Sequence, residues 1–162
     1  MPQWQLKHRN GESYPSEVVS MELDDACAIQ KLGWEKNFDW RKYFKSEERS
    51  NAHKLLVIGN DDYIQGAIAY QVAEDHVYVD LLESAPTNRH MNVQRQFTNV
   101  ADVLLGVACM RSFEEEKDGF VCFTPKSGLY EYYKRRFKAK RSGSRMYIDN
   151  VAAIYLIRLY YT

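Results

Sequence analysis

The chain has 162 residues, enough for one domain with a sizeable core, and its 22 basic and 22 acidic residues cancel. Balanced charge gives no global field to draw the protein to nucleic acid or an anionic membrane. No stretch approaches the roughly 18 apolar residues of a spanning helix. Aromatic residues make up 14%, with 12 Tyr, which favours an ordered fold containing sheet over disorder.

The start, Met1-Pro2-Gln3-Trp4-Gln5-Leu6-Lys7, lacks the apolar run of a secretory signal. Cys27, Cys109 and Cys122 form no metal spacing, and two of them sit inside apolar runs. They read as buried, reduced thiols of a cytoplasmic protein. His8, His53, His76 and His90 are scattered, so no metal is expected.

Residues 1 to 20 are turn-rich, with short strands expected near Trp4 to Lys7 and Val18 to Met21. Asp24-Asp25 is placed to cap a helix from Ala26 to Leu32 that Gly33 stops. Trp34, Phe38, Trp40, Tyr43 and Phe44 follow. They fit a helical segment packed by aromatics or, alternatively, one wall of a substrate pocket.

From Lys54 the period becomes two. Leu55 to Gly59 is a strand, and Asn60-Asp61-Asp62 a turn. Ile64, Gly66, Ile68, Tyr70 and Val72 alternate on one face of the next strand. A third strand runs from His76 to Leu82 and ends at Glu83-Ser84-Ala85-Pro86. The three form an antiparallel meander. Gly66 in mid-strand marks a bulge or a close backbone approach.

A polar stretch leads to a helix running to about Glu115, with Thr98 as the expected N-cap. Val100, Val103, Leu104, Val107 and Met110, with Leu105, Ala108 and Cys109 beside them, make it apolar almost all round and so buried. Free N–H groups at such a helix start form a ready anion site; the plain alternative is a well-capped core helix. Phe120 to Phe123 is a buried strand, reached by a crossover long enough to be parallel. Ser127 is placed to cap a helix from Gly128 to Lys140 with the apolar stripe Leu129, Tyr132, Tyr133 and Phe137. Arg145 to Asp149 is a strand, and Asn150 is placed to cap a last helix through Tyr161, with strand as the alternative. The order describes a mixed α/β sheet, antiparallel at first and parallel beyond Pro86.

That pattern resembles the GNAT superfamily of acyl-CoA N-acyltransferases over about residues 50 to 150. The family's strand ending in a V-x-P-like turn corresponds to Ser84-Ala85-Pro86, followed by Asn88-Arg89. Its loop Q/R-x-x-G-x-G/A corresponds to Gln96-Phe97-Thr98-Asn99-Val100-Ala101, continued by Leu104-Leu105 and Ala108. Its later tyrosine-bearing helix corresponds to Leu129-Tyr130-Glu131-Tyr132-Tyr133, ending in Phe137-Lys138-Ala139. A GNAT-like pattern L-L-E-x-A-P-x-N, F-x-x-K, h-Y, r-M-Y-I-D is matched by Leu81 to Asn88, Phe123 to Lys126, Tyr132-Tyr133 and Arg145 to Asp149. Two departures stand out: Asn99 replaces the loop's first Gly, and Lys138 the Gly before the helix-end Ala.

The resemblance implies one GNAT-like domain over 1–162 that takes acetyl-CoA and transfers its acetyl group directly to an amine. Backbone near Leu82 and Ser84 would pair with the pantetheine arm. Gln96 opens the loop, and the N–H groups of Phe97, Thr98, Asn99, Val100 and Ala101 would hold the pyrophosphate. Glu83 is the implied base, directly or through water, and Tyr133 the implied acid, with Tyr132 one register away. The plain alternatives are a solvated strand-end carboxylate for Glu83 and a core aromatic for Tyr133.

The acceptor is a small molecule or a peptide, and Ile154 to Tyr161 is a candidate homodimer interface. Asn99 and Lys138 favour a competing reading, a catalytically inactive GNAT-like binding or assembly module. Nucleic acid is the weakest partner, since the basic run from Lys134 to Arg145 has no second patch beside it.

Overall fold

The computed structural model describes residues 1–125 and 128–162. Eight strands form one mixed sheet in the order β1-β2-β3-β4-β5-β6-β8-β7. They are β1 (Trp4–Lys7), β2 (Ser13–Ser20), β3 (Asn51–Val57), β4 (Gly66–Val72), β5 (Val77–Ser84), β6 (Val121–Phe123), β7 (Lys140–Ser142) and β8 (Arg145–Ile148). The helices are α1 (Leu23–Gln30), α2 (Val100–Glu114), α3 (Tyr130–Phe137) and α4 (Asn150–Tyr160). β1 to β5 pair antiparallel, and β6 joins β5 in parallel, as the crossover through α2 requires.

Two buried clusters lie on opposite faces of the sheet. One packs α2 and α4 against Leu6, Leu55, Ile68, Tyr70, Val77 and Val79. The other gathers Ala26, Ile29, Trp34, Trp40 and Tyr43 over Ala52, Ala67 and Ala69. Small residues on β4 let α2 come close. A Cβ on Gly66 would lie 2.5 Å from Val100 Cγ1 and 3.2 Å from the Glu83 carbonyl oxygen. Gly66 opens β4 rather than lying mid-strand, and it marks a close approach, not a bulge.

A bulge sits between Ala69 and Tyr70 of β4, where Tyr70 pairs with Val79 but Ala69 pairs with Leu81. Asp80 is the extra residue. Side chains alternate along a strand, so an extra residue reverses which face each later one meets. Val77 and Val79 join the α2 cluster, whereas Leu81 packs against the opposite one. Glu83 follows Leu81 onto that second face and meets Trp40 there.

Several local expectations are corrected. The cap of α1 is Glu22, not Asp24-Asp25: Asp25 reaches back to the Glu22 amide at 2.8 Å and the helix starts at Leu23. The aromatic stretch 34–44 forms only a 3-10 turn, Trp40–Phe44, capped by Asp39. β2 begins at Ser13, five residues before the expected Val18, because it is held between β1 and β3. Thr98 does not cap α2; Asn99 stands at the N-cap, and the Thr98 hydroxyl donates to the Lys7 carbonyl. The cap of α4 is Asp149, whose Oδ1 accepts from the Ala152 amide at 3.0 Å, rather than Asn150.

The Ser127 cap and the Lys126 of the F-x-x-K match lie outside the described residues. α3 stops at Phe137, three residues short of Lys140, because Lys138 turns left-handed at φ 56° and Lys140 begins β7. This is the position where the family pattern has glycine, the residue that adopts such a φ without a Cβ clash. α4 is helical despite its β-branched residues because Ala152, Ala153 and Leu156 bury against α2. Among the described residues no helix is long and apolar enough to cross a membrane.

Replacing Gly66 with Ala should lower stability by about 1–3 kcal/mol, since its Cβ meets both α2 and backbone. Denaturant unfolding measures this, and an unchanged midpoint would show that α2 can move aside.

Candidate active site

β5 and β6 are paired only over Val77–Val79 and Val121–Phe123. Beyond Val79, β5 runs on to Ser84 paired with β4 alone, so its other edge has no strand partner among the described residues. Leu82 and Ser84, the expected pantetheine contacts, lie on this segment, both half-buried. The first turn of α2 lies close to its end, since Val100 packs on Gly66, the partner of Ser84, and α3 packs on Phe123 at the end of β6.

α3 is positioned by three contacts. The Tyr133 ring packs edge-on against Phe123 at the end of β6, with centroids 5.1 Å apart. Tyr132 meets His90 of the loop after β5 at 5.5 Å. Arg136 bonds to Asp102 in the first turn of α2. Tyr133 therefore stands where β6 parts from β5. Its hydroxyl has no hydrogen-bond partner among the described residues, and burial pushes its pKa above the ordinary tyrosine value.

Glu83 is buried, which excludes the solvated strand-end reading. Its two oxygens accept from Trp40 Nε1 at 2.8 Å and from the Glu35 amide at 2.7 Å. An Arg89 guanidinium nitrogen lies 3.8 Å away. Burial raises the Glu83 pKa above the usual carboxylate value; the bonds from Trp40 and the Glu35 amide and the Arg89 charge oppose that rise, and the Glu35 carboxylate adds to it. The carboxylate thus ties the segment holding Trp34 and Trp40 to the end of β5. Trp34, Trp40 and Tyr43 are buried, so these aromatics form a core before they form a wall.

The loop before α2 is tied to β1. The Gln96 amide donates to the Thr87 carbonyl, and its own carbonyl accepts from the Arg9 amide. The Phe97 amide donates to Asn88 Oδ1, and the Thr98 amide to the Lys7 carbonyl. Those three N–H groups are committed within the protein. Asn99 φ is −128°, so no left-handed turn occurs there, and its side chain points at β1. Nδ2 donates to the Gln5 carbonyl at 3.0 Å, and Oδ1 accepts from the Lys7 amide at 2.7 Å. Val100 is buried against Gly66, and Ala101 is half-buried. The amides of Asn99, Val100, Ala101 and Asp102 have no partner among the described residues, as at any helix start without a side-chain cap.

Sequence reasoning missed two groups at this end. Buried Asn88 bridges Gln65 on one side and the Phe97 amide on the other. Asp102 is a buried carboxylate that accepts from both Arg136 and Tyr160. A charged residue in a helix otherwise apolar all round was the available signal, since a buried carboxylate requires a partner. Most of the basic run is committed in the same way. Lys138 lies over Tyr155, Lys140 pairs with Asp149, Arg141 lies over Tyr130 and Arg145 over Tyr78. Two open cavities, of about 410 and 390 Å³, share His53, Tyr70 and Arg111 at the opposite end of α2; neither is lined by Glu83 or Tyr133.

An arrangement of antiparallel meander, bulged strand parting from a parallel neighbour, and helix starting near the parting has counterparts among solved structures. A chimera of the Vibrio cholerae spermidine N-acetyltransferase superposes with a TM-score of 0.62 at 11% identity, over 86% of this chain and 98% of that one. The architecture is the GNAT fold. A GNAT-family acetyltransferase from Bacillus anthracis matches with a TM-score of 0.54 at 12% identity, over 91% of this chain and 99% of that one. An aminoglycoside acetyltransferase solved with coenzyme A and kanamycin matches at 0.58 and 10% identity, over 86% and 98%. No family model and no curated protein matches the sequence. At these identities the likeness carries the GNAT fold and leaves chemistry to the residues.

Asn99→Gly would restore the loop's family residue yet remove both bonds to β1. It should lower stability by about 1–3 kcal/mol. A gain in stability on thermal unfolding would contradict this account of Asn99.

Proposed function

We propose that the protein is an N-acetyltransferase that moves the acetyl group of acetyl-CoA directly to the amine of a small molecule or peptide. The observation that carries this reading is the opening between β5 and β6 beyond Val79, with the unpartnered amides of the first turn of α2 at its end. The pantetheine arm would lie along Leu82 to Ser84 as an added strand. Of the loop expected to bind the pyrophosphate, Gln96, Phe97 and Thr98 have their amides occupied. The proposed seat therefore shifts to Asn99, Val100, Ala101 and Asp102, where a negative charge gains about 0.3–1 kcal/mol in an exposed setting.

The amine attacks in its neutral form, so a base is needed. Glu83 is assigned that role through a water, because both oxygens already accept from fixed donors. Its raised pKa suits proton uptake, and Trp40 and Glu35 hold it in place. Tyr133 is assigned as the acid that protonates the departing thiolate. Its unpartnered hydroxyl and raised pKa keep the proton available at neutral pH. A second reading, a GNAT-fold binding module without catalysis, is favoured by the same saturation of Glu83.

Saturating acetyl-CoA should raise the unfolding temperature by about 5–10 °C at a hundred times its dissociation constant. With an accepted amine, Tyr133→Phe and Glu83→Gln should each slow turnover by roughly 10²–10⁴-fold while folding is retained. Binding without transfer to any amine in a broad panel would select the module reading. Absence of any shift at millimolar cofactor would reject acetyl-CoA altogether. The base must be deprotonated, so kcat/KM should fall as pH drops through a Glu83 pKa above the normal carboxylate range. An acid limb at the ordinary carboxylate value would remove Glu83 from the role.

A further inference from the structure

The first turn of α2 already holds an internal charge. Asp102 is 4% exposed, and its Oδ2 accepts from Arg136 Nε at 3.0 Å and from the Tyr160 hydroxyl at 3.1 Å, with Arg136 Nη2 2.9 Å away. One carboxylate thereby joins α2, α3 and α4. A buried carboxylate is tolerated only with such partners. The Arg136 side chain is 39% exposed, and its Nη1 has no partner among the described residues. Lys134 and Arg135, on the same helix, are exposed and make no such contact. Arg136 is thus the cation that α3 brings to the turn where the amides of Asn99 to Asp102 are free among the described residues.

We propose that Asp102 and Arg136 form a charge gate on the cofactor seat: Arg136 is a phosphate-binding residue that Asp102 holds in reserve. This rests on the acyl-CoA reading above. A diphosphate arriving at the first turn of α2 meets repulsion from the Asp102 carboxylate and attraction from the Arg136 guanidinium. Arginine binds phosphate and carboxylate with the same planar fork, so the two anions compete for it. The gate lowers affinity for the diphosphate end of coenzyme A and leaves the pantetheine arm unaffected. It also couples cofactor binding to α3, which carries Tyr133.

Calorimetric binding of coenzyme A and of pantetheine, which lacks the diphosphate, tests this on the full chain. Asp102→Asn keeps the shape and an acceptor oxygen but removes the charge. It should tighten coenzyme A by at least about fivefold and leave pantetheine unchanged. Arg136→Gln should weaken coenzyme A alone, and the double variant should lose the gain of Asp102→Asn. If the wild type binds coenzyme A and Asp102→Asn binds it no better, the gate is overturned while the acyl-CoA reading stands. If neither protein binds it, both fall. Should Asp102→Asn fail to fold, Arg136→Gln decides: a loss confined to coenzyme A supports the gate, and an equal loss for pantetheine or no loss overturns it.

Discussion

One extra residue in β5 governs the geometry of the opening. Because side chains alternate, the shift at Asp80 carries Leu81 and Glu83 from the α2 face to the face of α1 and the aromatic turn. Without it, Glu83 would point to the α2 face, away from Trp40 and the Glu35 amide that hold it. The ladder to β6 also ends at the residue before the bulge, Val79. Bulges bend and twist the strand that carries them, which accounts for the parting of β5 from β6 at this point. The two faces thereby differ: α2 starts with free amides on one side, and Trp40 and the Glu35 amide fix the Glu83 carboxylate on the other.

The start of α2 is held by more than its own cap. Phe97, Thr98 and Asn99 bond to Asn88 and to β1, so the loop acts as a short additional strand across the sheet edge. Gly66 and Gly106 let β4 and Trp4 close on the same helix, where any Cβ would overlap a neighbour. A helix fixed at this many points keeps its first amides in one place. The consequence is fewer free amides than the family loop implies, all of them in the first turn of α2.

The charge at the first turn of α2 is paired with partners far apart in sequence. Asp102 and Arg136 lie 34 positions apart, and Asp102 and Tyr160 lie 58 apart, yet they share one oxygen. The basic run that raised a nucleic-acid reading is mostly consumed by aromatic faces and carboxylates of its own fold. Lys138 occupies a left-handed position at the end of α3, which the backbone tolerates at a modest steric cost. Its departure from glycine is therefore a local matter of α3, distant in kind from the charge pairing at α2.

The sequence by itself determined the meander, the buried helix, the parallel strand after it and the likeness to the GNAT pattern. Period-two and helical spacing, together with turn residues, act over a few positions and are legible there. Tertiary structure alone decided the bulge at Asp80, the side of the sheet that Glu83 faces and the bonds of Asn99 to β1. It also decided whether residues 150–160 form helix or strand, because burial of Ala152, Ala153 and Leu156 outweighs β-branched propensity. Asn99 stands where a glycine was expected, and its identity alone pointed toward a blocked loop. The structure turned it toward β1, where the part-buried Lys7 amide and Gln5 carbonyl take both ends of its side chain, a pairing that exists only once distant segments have come together.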